Sequence, residues 1–409
     1  MKVYAHKKDN SYLEFDLTGQ GWSGGEGTVY RIGPIPGLQG SFCAKIYHTE
    51  FLAKHKKEKY AKLSYMVGHR PQTLSDNRGM IQICYPSFLL FDSPIGGNFI
   101  GYGMYLALEN STDLQKVAMN ISKARFDSLR RNGKPDIIGE EIFKKFPRPQ
   151  KSSDINQLIN RYKIVHNIAS LINYLHQDGR YVIGDIKPEN ILMTVRAGIS
   201  LVDVDSVQIV ENKKLLFSNE ACTPEYCPPE FLRNPRQNQV KAISFDLFSM
   251  SVLFYQILIG THPYTYTIPH QQKQNDTIGN IITGYFANGK KRNFINRPPC
   301  HLLFDQLPKS IQNFFQRAFE GKPEQPPTAL EWQTTLCNLI LNLTSSPPHQ
   351  RPSISVSQTM TNPQKNGNSC TTNLTQDSSQ TLSTYCFKCG QRFYKLVSRF
   401  CTKCGAKRI

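Results

Sequence analysis

Long apolar runs are missing from this 409-residue chain. No stretch approaches the ~20 residues needed to cross a bilayer, and the longest candidate lies around Ser249 to Gly260. The opening residues, MKVYAHKKDNSYLEF, hold no apolar core of the kind a secretion signal needs, so a cytoplasmic location is expected. Framework cysteines are also missing. Of eleven cysteines, Cys43, Cys84, Cys222, Cys227, Cys300, Cys337 and Cys370 are scattered, which excludes a disulfide scaffold and fits reduced thiols. Acid is in short supply, with 31 Asp plus Glu against 49 Lys plus Arg. The formal charge of +18 favours partners that carry phosphate or acidic surfaces.

Composition changes along the chain. Residues 344–384 contain no aromatic residue and a single acid, and they are biased to Ser, Thr, Asn, Gln and Pro. Such a stretch cannot bury enough apolar surface to offset its ordering entropy, so a flexible linker is expected, its ends on the order of 35 Å apart. Ahead of it, residues 12–106 read as short strands around one charged helix, and residues 107–340 as a larger lobe that is mainly helical from about 156 onward. Within that part, Glu109 to Ser153 is polar and basic, and it is expected to hold one or more extra helices with no assigned role. The run Lys54 to Lys62, KHKKEKYAK, is most simply one solvated helix face, a nucleic-acid patch being the alternative.

The stretch YVIGDIKPENILMTVRAGISLVDVD, residues 181–205, is the most informative. It sets Asp185, Lys187 and Asn190 close together and places Asp203 thirteen residues after Asn190. Phosphoryl transfer needs an oxygen acceptor beside the attacking hydroxyl and oxygen ligands for Mg²⁺ on the phosphates, and these side chains supply both. A plain surface turn is the alternative, because Asp, Asn, Pro and Gly are ordinary turn residues. Flanking apolar runs argue for short strands that hold the carboxylates instead. The pattern resembles the catalytic loop and metal-binding Asp of eukaryotic-type protein kinases.

Upstream, Trp22-Ser23-Gly24-Gly25-Glu26-Gly27-Thr28-Val29-Tyr30 has the form of a Gly-rich phosphate loop. Backbone N–H groups at Gly24, Gly25 and Gly27 could approach phosphate oxygens where a Cβ would clash. Trp22 stands at the first glycine position, and a simple β-turn is the alternative. Lys45, eighteen residues after Gly27, sits in an Ala-Lys-Ile context that resembles the strand lysine of kinases. An ammonium inside an apolar strand needs a carboxylate. Glu58, the only acid between Phe51 and Arg70, is the candidate. The resemblance implies that Lys45 holds nucleotide phosphates while Glu58 holds Lys45. It also implies that Val29 and Ala44 cover the adenine, with Met104 at the back of the pocket unless it merely fills core.

The resemblance covers residues 12–335, about four-fifths of the chain, and continues with TPEYCPPE (223–230), SFDLFSMSVLFYQILIGTHPY (244–264) and PTALEW (327–332). It implies that Thr223 bonds to Asp185 and Lys187 and that Asp246 braces the loop backbone. Four departures stand out. Ile183-Gly184 replaces the usual His-Arg, so the arginine that reads an activation-segment phosphate is absent. Val204-Asp205 replaces Phe-Gly, and Asp205 could join the metal shell, compete for it or cap a turn. Pro326 stands where an arginine partner for Glu230 is usual, and Trp22 replaces a glycine. Together these motifs resemble bacterial eukaryotic-like serine/threonine kinases that carry GDxxPxN and DxDS.

The tail carries Cys386-Phe387-Lys388-Cys389-Gly390 and Cys401-Thr402-Lys403-Cys404-Gly405, two CxxCG knuckles. Each lets two thiolates reach one tetrahedral ion, so a zinc ribbon over 385–409 is expected. At ~24 residues it would depend on its metal to fold. Seven cations there, less the net charge of four thiolates and one Zn²⁺, leave about +5, compatible with a nucleic-acid or a protein partner.

The resulting expectation is an α+β, bilobal protein kinase-like fold with a small β-rich N-lobe, a large α-rich C-lobe and a small C-terminal zinc ribbon. ATP with Mg²⁺ or Mn²⁺ and a structural Zn²⁺ are the implied cofactors, and the implied partners are proteins offering Ser or Thr hydroxyls. A pseudokinase scaffold signalling through the ribbon and a small-molecule phosphotransferase are the rivals.

Overall fold

The computed structural model describes residues 1–345 apart from 7–10, 18, 20, 36, 38–39, 119–136, 148, 150–154, 178, 220, 236–239 and 270–275. The amino-terminal part is a seven-stranded antiparallel sheet with one long helix. Its elements are β1 (Lys2–His6), β2 (Tyr12–Asp16), β3 (Trp22–Ser23), β4 (Gly27–Ile32), β5 (Phe42–Tyr47), helix α1 (Thr49–Gly68), β6 (Ile81–Ile83), β7 (Pro86–Phe91) and β8 (Phe99–Tyr105). The strand order is β2-β1-β7-β8-β5-β4-β3; β6 lies in a different sheet. The sheet starts at Lys2, ahead of the boundary at residue 12 expected from the motifs. Val3 and Ala5 of β1 are buried, and β1 pairs with both β2 and β7.

Strand β5 sets the geometry of this lobe. Its sequence FCAKIY alternates, so Phe42 and Ala44 enter one apolar cluster with Val3, Phe15 and Leu90, whereas Cys43 and Tyr47 enter another that runs on into the helical lobe. The sheet is thus covered on both faces, and Lys45 shares the side of Cys43 and Tyr47.

The carboxy-terminal part is mainly helical. After β9 (Ser111–Asp113) come the short helix α2 (Gln115–Ala118) and α3 (Ile137–Lys145), described pieces of the polar insert. Ile142 and Phe146 are buried in the main core, which fixes this part of the insert to the lobe. Helix α4 (Ile155–His176) follows, then β10 (Tyr181–Val182), β11 (Ile191–Thr194), β12 (Ile199–Leu201), β13 (Gln208–Glu211) and β14 (Lys214–Phe217). Helices α5 (Pro229–Arg233), α6 (Ile243–Ile259), α7 (Thr277–Thr283), α8 (Lys309–Glu320) and α9 (Ala329–Ser345) complete the described chain. Helix α6 is buried from Phe245 to Ile259, as its nearly uniform apolar composition requires. Around it, Tyr255, Phe286, Phe304, Phe315, Phe319 and Trp332 pack ring against ring. Burying each such side chain stabilises the fold by about 1.5–3 kcal/mol. Helix α9 is started by a reciprocal cap: the Thr328 hydroxyl accepts from Glu331 N (3.2 Å), and Glu331 accepts from Thr328 N (2.8 Å).

Strands β6, β12, β11 and β9 form a second sheet in that order, with β6 parallel to β12. The β11–β12 hairpin ends at both positions expected to bear metal ligands, since Asn190 precedes β11 and Asp203 follows β12. The Val202 N–H donates to the Asn190 carbonyl at 3.0 Å and ties them together. No helix among the described residues is long and apolar enough to cross a membrane.

Candidate active site

The loop from Ile183 to Asn190 is held from below by the central helix. Asp246, fully buried on α6, accepts hydrogen bonds from Ile183 N and Gly184 N, both at 2.7 Å, and lies 2.9 Å from His176 Nε2 at the end of α4. This is the backbone brace that the resemblance implied for Asp246. Gly184 has φ +75°, a conformation that costs any other residue strain. A Cβ there would also run into the Asn219 amide, which donates to Ile183 O at 2.8 Å. Nearby, buried Lys241 reaches Gly184 O (3.3 Å) and Ala221 O (2.6 Å), joining the loop to the segment that precedes Thr223.

So supported, the loop presents Asp185, Lys187 and Asn190 on one side. Thr223 Oγ1 donates to Asp185 Oδ1 at 2.7 Å, while Lys187 Nζ lies 3.2 Å from that hydroxyl and 2.6 Å from Asp185 Oδ2. Asn190 donates through Nδ2 to the Asp185 carbonyl (2.9 Å), so Oδ1 is the end left for a cation. Asp203 follows β12 with φ 56° and ψ 35°, a left-handed conformation rare for a residue with a side chain and typical of strained functional positions. Its carboxylate is 56% exposed and 3.5 Å from Lys45 Nζ. The β11–β12 hairpin thus carries Asn190 and Asp203 to one end, and their side-chain oxygens are the ones that could hold a Mg²⁺ ion, which keeps most of its coordination for water and phosphate.

Lys45 is where the sequence expectation fails. Its ammonium is bound by Asp205 (3.0 Å to Oδ1, 3.2 Å to Oδ2), Glu26 (3.2 Å) and Asp203, not by Glu58. Glu58 is exposed on α1, and the next residue, Lys59, turns inward to Asp205 (3.3 Å) and Glu26 (3.4 Å). The cause is helical phase. Lys62, Leu63 and Met66 are the buried residues of α1, and Lys59 precedes them by three, four and seven positions, on the same face. The basic run is accordingly not one solvated face. Lys62 is buried, and burial together with the neighbouring Lys59 lowers its pKa to about 8. Burial works against the Lys45 ammonium, but Asp205, Asp203 and Glu26 outweigh it and raise its pKa above the ordinary lysine value. Burial likewise pushes the Asp205 carboxyl up, and Lys45, Lys59 and the hydrogen bonds from Tyr47 and Lys45 overturn this, holding it well below the carboxylate range.

The glycine loop is the turn between β3 and β4. Gly24 N bonds to Gly27 O at 2.8 Å, and open space surrounds Gly25. Gly27 passes so close to Ile46 that no Cβ fits. Trp22 is half exposed and lies opposite Val29 in the β3–β4 pair, so it occupies the outer strand without blocking the turn. Val29 in turn lies opposite Lys45, on the main-core side. Ala44, expected over the adenine, faces the other apolar cluster, away from Lys45, because strand neighbours alternate. Cys43, opposite Met104 on β8, is the β5 residue next to Ala44 that shares the face of Lys45. Both are buried, and burial pushes the Cys43 thiol up to about 12, so it serves as a small apolar wall. Sequence reasoning missed Cys43, Glu26, Lys59 and the two tyrosines, Tyr47 and Tyr102, that donate to Asp205 at 2.8 and 2.9 Å. Two-residue spacing from Lys45 would have found Cys43 and Tyr47.

Cys386, Cys389, Cys401 and Cys404 lie outside the described residues, as does the linker beyond residue 345. Among the described residues, no group of three or more His, Cys, Asp and Glu side chains is placed to hold a metal ion.

A two-lobed scaffold that aligns a glycine turn, a buried lysine and a loop of Asp, Lys and Asn against a second Asp has the form of a phosphotransferase. A family model for the protein kinase domain matches residues 141–363, more than half of the chain, and the chain belongs to that family. Among curated relatives, a citron rho-interacting kinase of Rattus norvegicus is 34% identical over 128 residues, 28% of this chain and 6% of that protein. An Aurora kinase of Schizosaccharomyces pombe is 30% identical over 126 residues, 30% of this chain and 32% of the relative. A serine/threonine-protein kinase of Saccharomyces cerevisiae is 32% identical over 138 residues, 30% of this chain and 25% of the relative. The chain thus spans at most about a third of the length of these three proteins.

Proposed function

We propose that this protein is an ATP-dependent serine/threonine protein kinase. The observation that carries the reading is the Thr223 hydroxyl held between Asp185 and Lys187, which fixes the segment before Glu230 against the residues of the transfer step. Bound ATP supplies the phosphoryl group and Mg²⁺ neutralises its oxygens. Asp185 orients the acceptor hydroxyl and takes its proton. Lys187 balances charge at the γ-phosphate, and Asn190 with Asp203 holds the metal. Lys45 engages the remaining phosphates beneath the turn of Gly24, Gly25 and Gly27, with Val29, Cys43 and Met104 lining the base pocket. Asp205, enclosed by four donor side chains, is not offered to a cation.

The full chain, incubated with Mg²⁺, labelled ATP and generic protein substrates, should transfer label to Ser or Thr. Asp185→Asn should lower turnover at least ~100-fold and Lys45→Ala should weaken ATP use. An unlabelled product with the wild-type chain would sink the reading.

We further read Cys386, Cys389, Cys401 and Cys404 as a structural zinc site on a docking module of a cytoplasmic protein. About one zinc per chain by atomic emission is expected. Its absence from chain purified without chelator would refute that assignment.

A further inference from the structure

Asp205 is 1% exposed, and its polar surroundings account for its burial. Oδ1 accepts from Lys45 and from the Tyr102 hydroxyl (2.9 Å), while Oδ2 accepts from the Tyr47 hydroxyl (2.8 Å), Lys45 and Lys59. A carboxylate has about four acceptor positions, so this one is filled. Most of these donors come from one face of one sheet. Lys45 and Tyr47 alternate along β5, and Tyr102 is the cross-strand partner of Lys45 on β8. Asp205 itself sits two residues beyond Asp203, on the helical lobe's side.

We propose that Asp205 is the positioning residue for Lys45. In this reading the large lobe's metal-bearing segment, and not the carboxylate of helix α1, sets where the phosphate-holding ammonium stands. The proposal rests on the assignment of Lys45 to nucleotide phosphates. Three observations separate Asp205 from the other acids near Lys45. Glu58 is exposed and turned away. Glu26 belongs to the glycine turn and is 40% exposed, so it is a partner that an incoming phosphate can displace. Asp203 is the exposed carboxylate available to metal, at a longer 3.5 Å from Lys45. Asp205 alone is both buried and doubly bonded to the ammonium. Helix α1 contributes a cation instead, Lys59, which steadies the outer oxygen of Asp205. The usual division is therefore reversed: the acid comes from the segment after Asp203, and the helix supplies the counter-charge.

The test uses the full-length chain and compares Asp205→Asn, Glu58→Gln, Lys45→Met and the Lys45→Met/Asp205→Asn double variant. Mg²⁺·ATP dissociation constants by calorimetry and the KM and kcat for ATP are the readouts. Loss of the charged hydrogen bond should weaken ATP binding about tenfold or more in Asp205→Asn, with KM for ATP rising in step and KM for protein substrate unmoved. Glu58→Gln should stay within about twofold of wild type, and the double variant should be no weaker than Lys45→Met, as coupled residues require. If Asp205→Asn does not fold, Tyr47→Phe/Tyr102→Phe replaces it, since removing two donors loosens the same carboxylate, and a several-fold loss of ATP affinity is again expected. An equal loss in Glu58→Gln, multiplicative effects of Lys45→Met and Asp205→Asn, unchanged affinity when the tyrosines are cut, or higher turnover in Asp205→Asn would each overturn the proposal. A wild-type chain that binds ATP but transfers no phosphate ends the kinase reading and leaves this one to be judged by the dissociation constants; a chain that binds no ATP ends both.

Discussion

Gly184 offers a quantitative test of how the loop is built. Replacing it with Ala asks two things of the fold. The side chain must accept φ +75°, which costs an L-residue about 1–2 kcal/mol. The new Cβ also meets the Asn219 amide and lies 3.2 Å from Lys241 Cδ, so Asn219 has to withdraw. Its hydrogen bond to Ile183 O, 2.8 Å long, is then lost, and a buried carbonyl is left unmet at about 1–3 kcal/mol. The expected total is ~2–5 kcal/mol, read as a lowered urea midpoint at constant slope. Because Asp185 is the next residue, turnover should fall further than the folded fraction does. The two contributions separate in an Asn219→Ala background. With the obstructing amide gone, Gly184→Ala should cost only the ~1–2 kcal/mol of backbone strain. A midpoint that does not move, or a cost unchanged in the Asn219→Ala background, would refute the reasoning.

Lys241→Met keeps the volume of the side chain and removes its donors to Gly184 O and Ala221 O; stability should fall by ~1–3 kcal/mol and turnover with it, while phosphatase treatment leaves wild-type turnover unchanged. Phosphatase-sensitive wild-type activity, or a fully active Lys241→Met, would contradict this brace. His301 is fully buried; its Nε2 donates to Thr265 O (2.9 Å) and its Nδ1 lies 2.7 Å from the Tyr255 hydroxyl, so the ring is enclosed with no carboxylate partner among the described residues. Burial lowers its pKa from 6.5 to about 3. Between these values the unfolded chain binds the extra proton, so the His301 contribution is complete above pH 6.5 and is lost as pH falls toward 3, by at most ~1.4 kcal/mol per pH unit. Denaturation series between about pH 6.5 and pH 4 should show a shallower decline in His301→Gln than in wild type; identical slopes would refute it.

Much of the large-lobe site was legible because its members are close in sequence. A hairpin of β11 and β12 carries Asn190 and Asp203 to the same place whatever surrounds it, and Asp185 and Lys187 share one short loop. Thr223 and Asp246 came from the family resemblance, and their bonds to the loop match it. The small lobe was harder, for reasons of phase. One residue along a helix turns the side chain by about 100°, enough to exchange Glu58 for Lys59, and one residue along a strand reverses it, enough to exchange Ala44 for Cys43. In both cases the periodicity of the buried neighbours held the answer; for Glu58 the pull of opposite charge obscured it. Asp205 was not legible at all. Its burial depends on Tyr47 and Tyr102, which come together with it only once β5 and β8 pair and the lobes meet.

The missing arginine and the extra aspartate then turn out to be parts of one arrangement. With Gly184 in place of arginine, the loop takes its left-handed turn without strain, and position 184 itself offers no cation to the segment before Thr223. That segment is secured from inside: Asn219 donates to Ile183 O, Lys241 bridges Ala221 to Gly184, and Gln208 holds Lys241 by bonds to its N–H (2.8 Å) and carbonyl (2.7 Å). All three side chains are buried, so the brace is screened little by salt. On the other side of Asp203, Asp205 fastens the start of the same segment to the sheet through Lys45, Tyr47 and Tyr102. Both ends of the chain between Asp205 and Thr223 are therefore fixed by buried polar contacts.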